Sequence, residues 1–158
     1  MAPKGSVVVI VHGYGTVLVE HTAGSRYNPG LFGYPAGMLE RCESFKHGAV
    51  REAWEETGLE LDPLKLLEDR RYFAAVTTKD GQAMVDLMLH FYEFDRRACR
   101  PALLKESAET KPRWADIARV VRGKYEMIKV SGSVMPHITD VLGDYYCGRR
   151  LEKALYRA

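Results

Sequence analysis

Gly37-Met-Leu-Glu-Arg-Cys-Glu43-Ser-Phe-Lys-His-Gly48-Ala-Val-Arg51-Glu52-Ala-Trp-Glu55-Glu56-Thr-Gly58-Leu59 is the stretch that decides how this chain is read. Ser44 is of a type that caps helix N-termini, Gly58 of a type that ends helices in the left-handed conformation, and only Gly48 weakens the run between them. The spacing predicts a helix from Phe45 to Thr57. At 3.6 residues per turn, Glu52, Glu55 and Glu56 project from one face, within reach of a common point, while Val50, Trp54 and Thr57 turn the other way.

Three carboxylates crowded on one face repel each other and destabilise an isolated helix. A positive group that neutralises them is expected, and an all-oxygen cluster suits a hard divalent ion, Mg²⁺ or Mn²⁺, better than zinc. Gly48 and Ala49 flank Glu52 with the smallest side chains, leaving room for a ligand or a loop. Taken alone, such a face is ordinarily just solvated.

The full spacing is more specific. Gly37, Glu43, Arg51-Glu52, Glu55-Glu56 and Gly58, with apolar Ala53 and Leu59 in place, resembles the Nudix box, Gly-x5-Glu-x7-Arg-Glu-U-x-Glu-Glu-x-Gly-U, at every position. At residue frequencies of about 7%, seven fixed residues match by chance on the order of once in a million chains of this length. One departure is Ala36-Gly37, where many family members carry Gly-Gly; alanine costs the loop some backbone freedom.

The resemblance implies a Nudix fold of the α+β class, an α/β/α sandwich with a mixed β-sheet and the box helix on one side. It also implies that the Gly37 carbonyl serves the metal beside Glu52, Glu55 and Glu56, that Arg51 orients the glutamates, and that Glu43 braces the loop. The family's general base is either a box glutamate or one on a later acidic loop, so Glu52 and Glu109 are both candidates. Arg26 is a candidate phosphate contact, because the family often presents a basic residue between the first hairpin and the box.

Around the box, Ser6 to His12 and Thr16 to His21 read as a hairpin about Gly13-Tyr14-Gly15. A glycine-containing loop from Ala23 to Gly30 follows, and then Leu31 to Pro35, which brings Phe32 and Tyr34 toward the carboxylates as stacking candidates for a base or as core. Leu61 to Glu68 reads as a connection. Arg71 to Thr78 and Gln82 to Asp95 read as a second strand pair about Lys79-Asp80-Gly81. Asp86 and His90 share a face of the latter strand, which either lines the substrate cleft or holds His90 as a satisfied core residue, the latter being favoured. Arg96 to Pro112 is a charged loop carrying Glu106 and Glu109, and Trp114 to Val121 a short strand running into a helix. From Pro136, Ile138, Val141, Leu142, Tyr145 and Tyr146 keep helical spacing, with Arg149, Arg150, Lys153 and Arg157 on an outer face.

With 158 residues, 46% hydrophobic content and a formal charge of +2, the chain reads as one domain over 1–158. Cys42, Cys99 and Cys147 lack metal-ligand spacing and are expected as free thiols. No apolar run has the length of a membrane span or a signal segment, so a cytoplasmic protein is expected. There is no basic groove to indicate a nucleic-acid partner, and the oligomeric state, homodimer included, is open.

The implied reaction is Mg²⁺-dependent hydrolysis of a nucleoside diphosphate linked to another group. Family subgroups acting on ADP-ribose or dinucleoside polyphosphates carry a proline or a tyrosine past the box. The matching positions, Ala74 to Thr77, hold neither, and the coenzyme A signature is missing. By elimination a (d)NTP pyrophosphohydrolase giving NMP and pyrophosphate leads. Nucleotide-sugar and dinucleoside polyphosphate hydrolysis remain open, as do RNA decapping and a non-catalytic nucleotide-binding module.

Overall fold

The computed structural model describes residues 2–78 and 80–157, with side chains as far as residue 149. Lys79 and the side chains of Arg150, Lys153 and Arg157 lie outside the described residues.

The run Lys4–His12 forms β1, and from Gly5 to Val11 every residue is buried. A strand apolar on both faces belongs at the centre of a sheet with both sides covered. Accordingly, β1 pairs on one edge in parallel with β6 (Gly81–Glu93), Lys4 opposite Asp86 through Val11 opposite Glu93. Its other edge is shared. Its start pairs with β4 (Ala36–Met38), Ser6 opposite Gly37, and its end with β2 (Gly15–His21), Val11 opposite Thr16. The expected first hairpin is present, turning at Gly13 with φ +60°, but it is joined only near its turn.

Beyond Val11 the second strand departs toward its own partners, β3 (Phe32–Gly33) and β7 (Thr110–Asp116). β5 (Leu67–Thr78) completes the sheet as an edge strand antiparallel to β6. It begins inside the stretch read from sequence as a connection, because Leu67 and Glu68 pair with Phe91 and His90.

Helices cover both faces. α1 (Phe45–Thr57) packs its small residues Ala49 and Ala53 on Val8, Ile10 and Val17, with Leu59, Leu61, Leu66 and Tyr92 completing that layer. On the other face α2 (Ile117–Val121) and α3 (Val134–Arg157) bury Ile117, Val120, Ile138 and Leu142 against Val7, Val9, Val11, Leu18 and Leu89. Alternate residues of β1 thus feed two cores. The result is the expected α/β/α sandwich with a mixed sheet. Among the described residues no helix is long and apolar enough to cross a membrane.

His90 is fully buried on the α1 side, as expected of a core residue, but it is only half satisfied: its Nδ1 is 3.2 Å from the Val7 carbonyl oxygen, whereas its Nε2 has no hydrogen-bond partner among the described residues. Asp86, by contrast, lies at the rim and pairs with Arg71.

Candidate active site

The box helix begins and ends where its sequence predicts. The Ser44 hydroxyl accepts the His47 N–H at 3.1 Å, and Gly58 takes φ +77° while donating to the Trp54 carbonyl at 2.9 Å. What the sequence left undecided is which face meets the sheet. The buried residues are Gly48, Ala49, Ala53 and Thr57, whereas Trp54 is 45% exposed under the Lys105 ammonium. Docking through the smallest side chains lets the helix lie close to the sheet. Glu52 and Glu56, which flank that face, are therefore carried into the seam between α1 and β4 rather than out to solvent.

The seam is tight at Gly37. A Cβ there would overlap the Glu52 carboxylate, so only glycine admits Glu52 to this position. Gly48 does the same for the preceding loop, where a Cβ would overlap Leu39 and lie 3.1 Å from Glu43 Oε1. The room provided by Gly48 is thus filled by the loop. The Ala36 N–H donates to Glu56 Oε1 at 3.3 Å.

Arg51 is the hub of the carboxylates. Its Nε and Nη2 donate to the two Glu43 oxygens, each at 2.9 Å, its Nη1 to Glu52 at 2.9 Å and Glu55 at 3.1 Å, and its Nη2 also to the Met38 carbonyl at 2.9 Å. Hydrogen bonds from Arg51 hold the Glu43 carboxyl below the usual range despite some desolvation. Glu43 in turn accepts the Glu40 N–H at 3.0 Å, so the loop is tied to the helix through this one arginine.

One guanidinium does not balance the four glutamates Glu43, Glu52, Glu55 and Glu56. Burial pushes Glu52 up, opposed by Arg51. Burial and the neighbouring Glu52 push Glu56 well above the usual carboxylate range. Such a pair resists double ionisation, and a nearby cation would relieve it. Glu55 is half exposed, with Arg51 as its ion-pair partner. Among the described residues no three His, Cys, Asp or Glu side chains converge as they stand on a metal-sized point.

Glu109 precedes β7, and its backbone carbonyl accepts the Thr22 N–H at 2.9 Å, which ties the 22–31 loop to it. The Tyr27 hydroxyl is pushed up by burial and by Glu56, Glu109 and Glu52. Tyr27 thus lies, through its hydroxyl, within electrostatic range of both the box glutamates and Glu109. Its ring also lies 5.9 Å from His21, whose own shift is downward from burial and opposed by Glu109. Sequence reasoning missed Tyr27, since nothing in the motif refers to that loop. Its neighbour Arg26 is exposed, and among the described residues it makes no ion pair.

Of the two readings of Phe32 and Tyr34, the structure favours core. Tyr34 is 5% exposed and belongs to the core on the α3 side. Phe32 packs on that same core, with Tyr125 at its edge and the Arg113 guanidinium 5.4 Å from its centroid. The carboxylates are on α1, across the sheet, so neither ring is gathered with them. Alternation along the chain cannot tell which sheet face a two-residue strand presents.

These features agree with what the chain is similar to. The NUDIX domain model matches residues 2–137. The phosphatase NudJ of Shigella boydii is 27% identical over 151 residues, covering 94% of this chain and 86% of the relative. A MutT protein from Methanosarcina mazei superposes with a TM-score of 0.61 at 15% identity, covering 90% of this chain and 94% of that one. A bifunctional NMN adenylyltransferase/ADP-ribose pyrophosphatase from Francisella tularensis, complexed with AMP and a manganese ion, gives 0.63 at 17% identity, covering 91% of this chain but 42% of the longer one. The chain belongs to the Nudix hydrolase family.

Proposed function

We propose that the chain is a divalent-metal-dependent pyrophosphohydrolase of nucleoside diphosphate derivatives, with a (d)NTP, cleaved to NMP and pyrophosphate, as the leading substrate. The observation that carries this reading is the pair Glu52 and Glu56, drawn into the α1–β4 seam with more negative charge than Arg51 neutralises. That donor set fits Mg²⁺ or Mn²⁺, held by Glu52, Glu55, Glu56 and the Gly37 carbonyl. The bound ion would neutralise the phosphates and lower the pKa of a nucleophilic water.

The chain's own residues supply the rest. Arg51 holds Glu52 and Glu55 in register, and Glu43 holds Arg51. Glu52 is the proposed general base, because burial brings its pKa toward the operating pH, where proton transfer is most effective. Glu109 is the alternative base. Arg26, exposed and without an ion-pair partner among the described residues, is the proposed phosphate contact.

A second reading, a phosphatase releasing inorganic phosphate, is favoured by the 27% identity to a protein named phosphatase NudJ. A panel of nucleotides incubated with Mg²⁺, with products identified by mass, separates the two. Pyrophosphate and NMP from a triphosphate support the first and phosphate the second. No turnover of any nucleotide would leave a binding module. In the same assay Glu55→Gln and Glu56→Gln are each expected to lower turnover at least about a hundredfold.

A further inference from the structure

A second concave site lies at the opposite end of β1. Its cavity, about 660 Å³, is lined by residues that include His12, Tyr14, Arg100, Trp114, Asp116 and Tyr146. That volume is in the range of pockets that hold small ligands, about 300–1,000 Å³. It sits where His12 pairs with Gly15 and Gly15 with Asp116. Ser6, opposite Gly37, is six residues back along β1, about 20 Å at the rise of a strand. Glu109 adjoins the other end of β7. The cavity is therefore separate from the box.

The position of Arg100 is built. Its guanidinium lies 4.9 Å from the Trp114 ring centroid. Its Nη2 lies against the Gly15 backbone, 2.5 Å from where a Cβ would stand. The flanking chain is pinned at two points. His12 Nε2 is 3.0 Å from the Ala98 carbonyl oxygen, and Trp114 Nε1–H donates to the Pro101 carbonyl at 3.0 Å. Among the described residues no carboxylate pairs with Arg100. A planar, pre-positioned guanidinium without a counter-ion is suited to forked hydrogen bonding with a phosphate.

The rest of the wall is aromatic. Tyr14 and Tyr146 stand edge to face with centroids 5.5 Å apart, and Trp114 lies beside His12 at 6.3 Å. One Asp116 oxygen accepts the Ala118 N–H at 3.1 Å, and the other can accept from a hydroxyl. An anion-binding arginine, aromatic surface and a hydroxyl acceptor within one cavity match the three parts of a nucleotide. We propose that this cavity is a second ligand site, which takes a phosphorylated nucleoside with its phosphate on Arg100 and its base among the tyrosines. The site does not depend on the hydrolytic reading of the box.

The test uses full-length protein with Trp54→Phe, which leaves Trp114 as the one remaining tryptophan of two. Fluorescence is titrated in EDTA with AMP and, separately, with inorganic phosphate. Saturable quenching by AMP is expected, with phosphate binding at least about tenfold more weakly because it lacks the base. Arg100→Gln should weaken AMP at least about tenfold, the value of a charge-assisted hydrogen bond, while Glu56→Gln should leave the titration unchanged. Arg100 is exposed, so its replacement leaves the fold intact. Lack of quenching at millimolar AMP, phosphate binding as tight as AMP, or an unaltered titration in Arg100→Gln would each overturn the proposal. So would loss of the signal in Glu56→Gln, which would assign AMP to the box instead.

Discussion

Burial and the neighbouring Glu52 both oppose the ionisation of Glu56. A carboxyl whose pKa is raised on folding binds its proton more tightly in the folded than in the unfolded state, so it destabilises the fold as pH rises. Its ordinary value is 4.5. In EDTA the melting temperature of the parent should therefore fall relative to that of Glu56→Gln as pH rises above that value. Parallel curves for the two proteins would mean that Glu56 ionises without strain. The choice of base is also a question about single residues. With Glu52 as base and ligand, Glu52→Gln should depress turnover across the pH range and weaken metal binding, while Glu109→Gln has a mild effect. A loss of about 10²–10⁴-fold in Glu109→Gln with metal affinity intact would transfer the role to Glu109.

Between elements, the decisive contact is that of α1 with β4. Ala49 and Ala53 set the helix close to the sheet, and Gly37 on β4 leaves the space that the Glu52 carboxylate fills. Gly37→Ala adds one methyl at the point of overlap and must displace Glu52 or part the two elements. Misplacement of a reacting group by about 1 Å can cost about 10²-fold in rate, so Gly37→Ala should lose at least about tenfold in kcat/KM. Circular dichroism should remain that of the parent. Full activity in this variant would show that the seam does not set the position of Glu52. The Leu39–Glu43 loop is held to the same helix by Arg51 and by the close approach to Gly48, which couples loop and helix as one unit.

Over the whole molecule, the two cores on either side of β1 fix the box helix on one face and α2 and α3 on the other. A metal ion that binds only the folded state adds stability by mass action, about 2.7 kcal/mol at a hundred times its Kd. For a chain of this size that corresponds to a rise of about 5–11 °C in Tm. Mg²⁺ or Mn²⁺ should produce such a rise in the parent and a smaller one in Glu56→Gln, and should restore activity after chelation. Zinc should not, because the proposed donors are oxygens. Restoration by zinc would point to histidine or cysteine ligands instead.

The limits of helix α1 and the membership of its carboxylate cluster follow from local chemistry, and the sequence by itself determined both. Ser44 and Gly58 act within one turn of their own positions, and the spacing of Glu52, Glu55 and Glu56 is a property of any helix. The β1–β2 hairpin, the β5–β6 pair and the C-terminal helix were legible for the same reason: turn residues and periodicity are short-range signals. Tertiary structure alone decided that Trp54 faces out while Glu52 and Glu56 enter a seam, because that depends on which small residues meet β4. It decided that Tyr34 and Phe32 belong to the opposite core, that Tyr27 comes within electrostatic range of both the box glutamates and Glu109, and that β1 shares one edge between β2 and β4 while its other edge pairs with β6. Each of these joins segments far apart in the chain, and a one-dimensional pattern carries no term for contacts between elements that are neighbours only after folding.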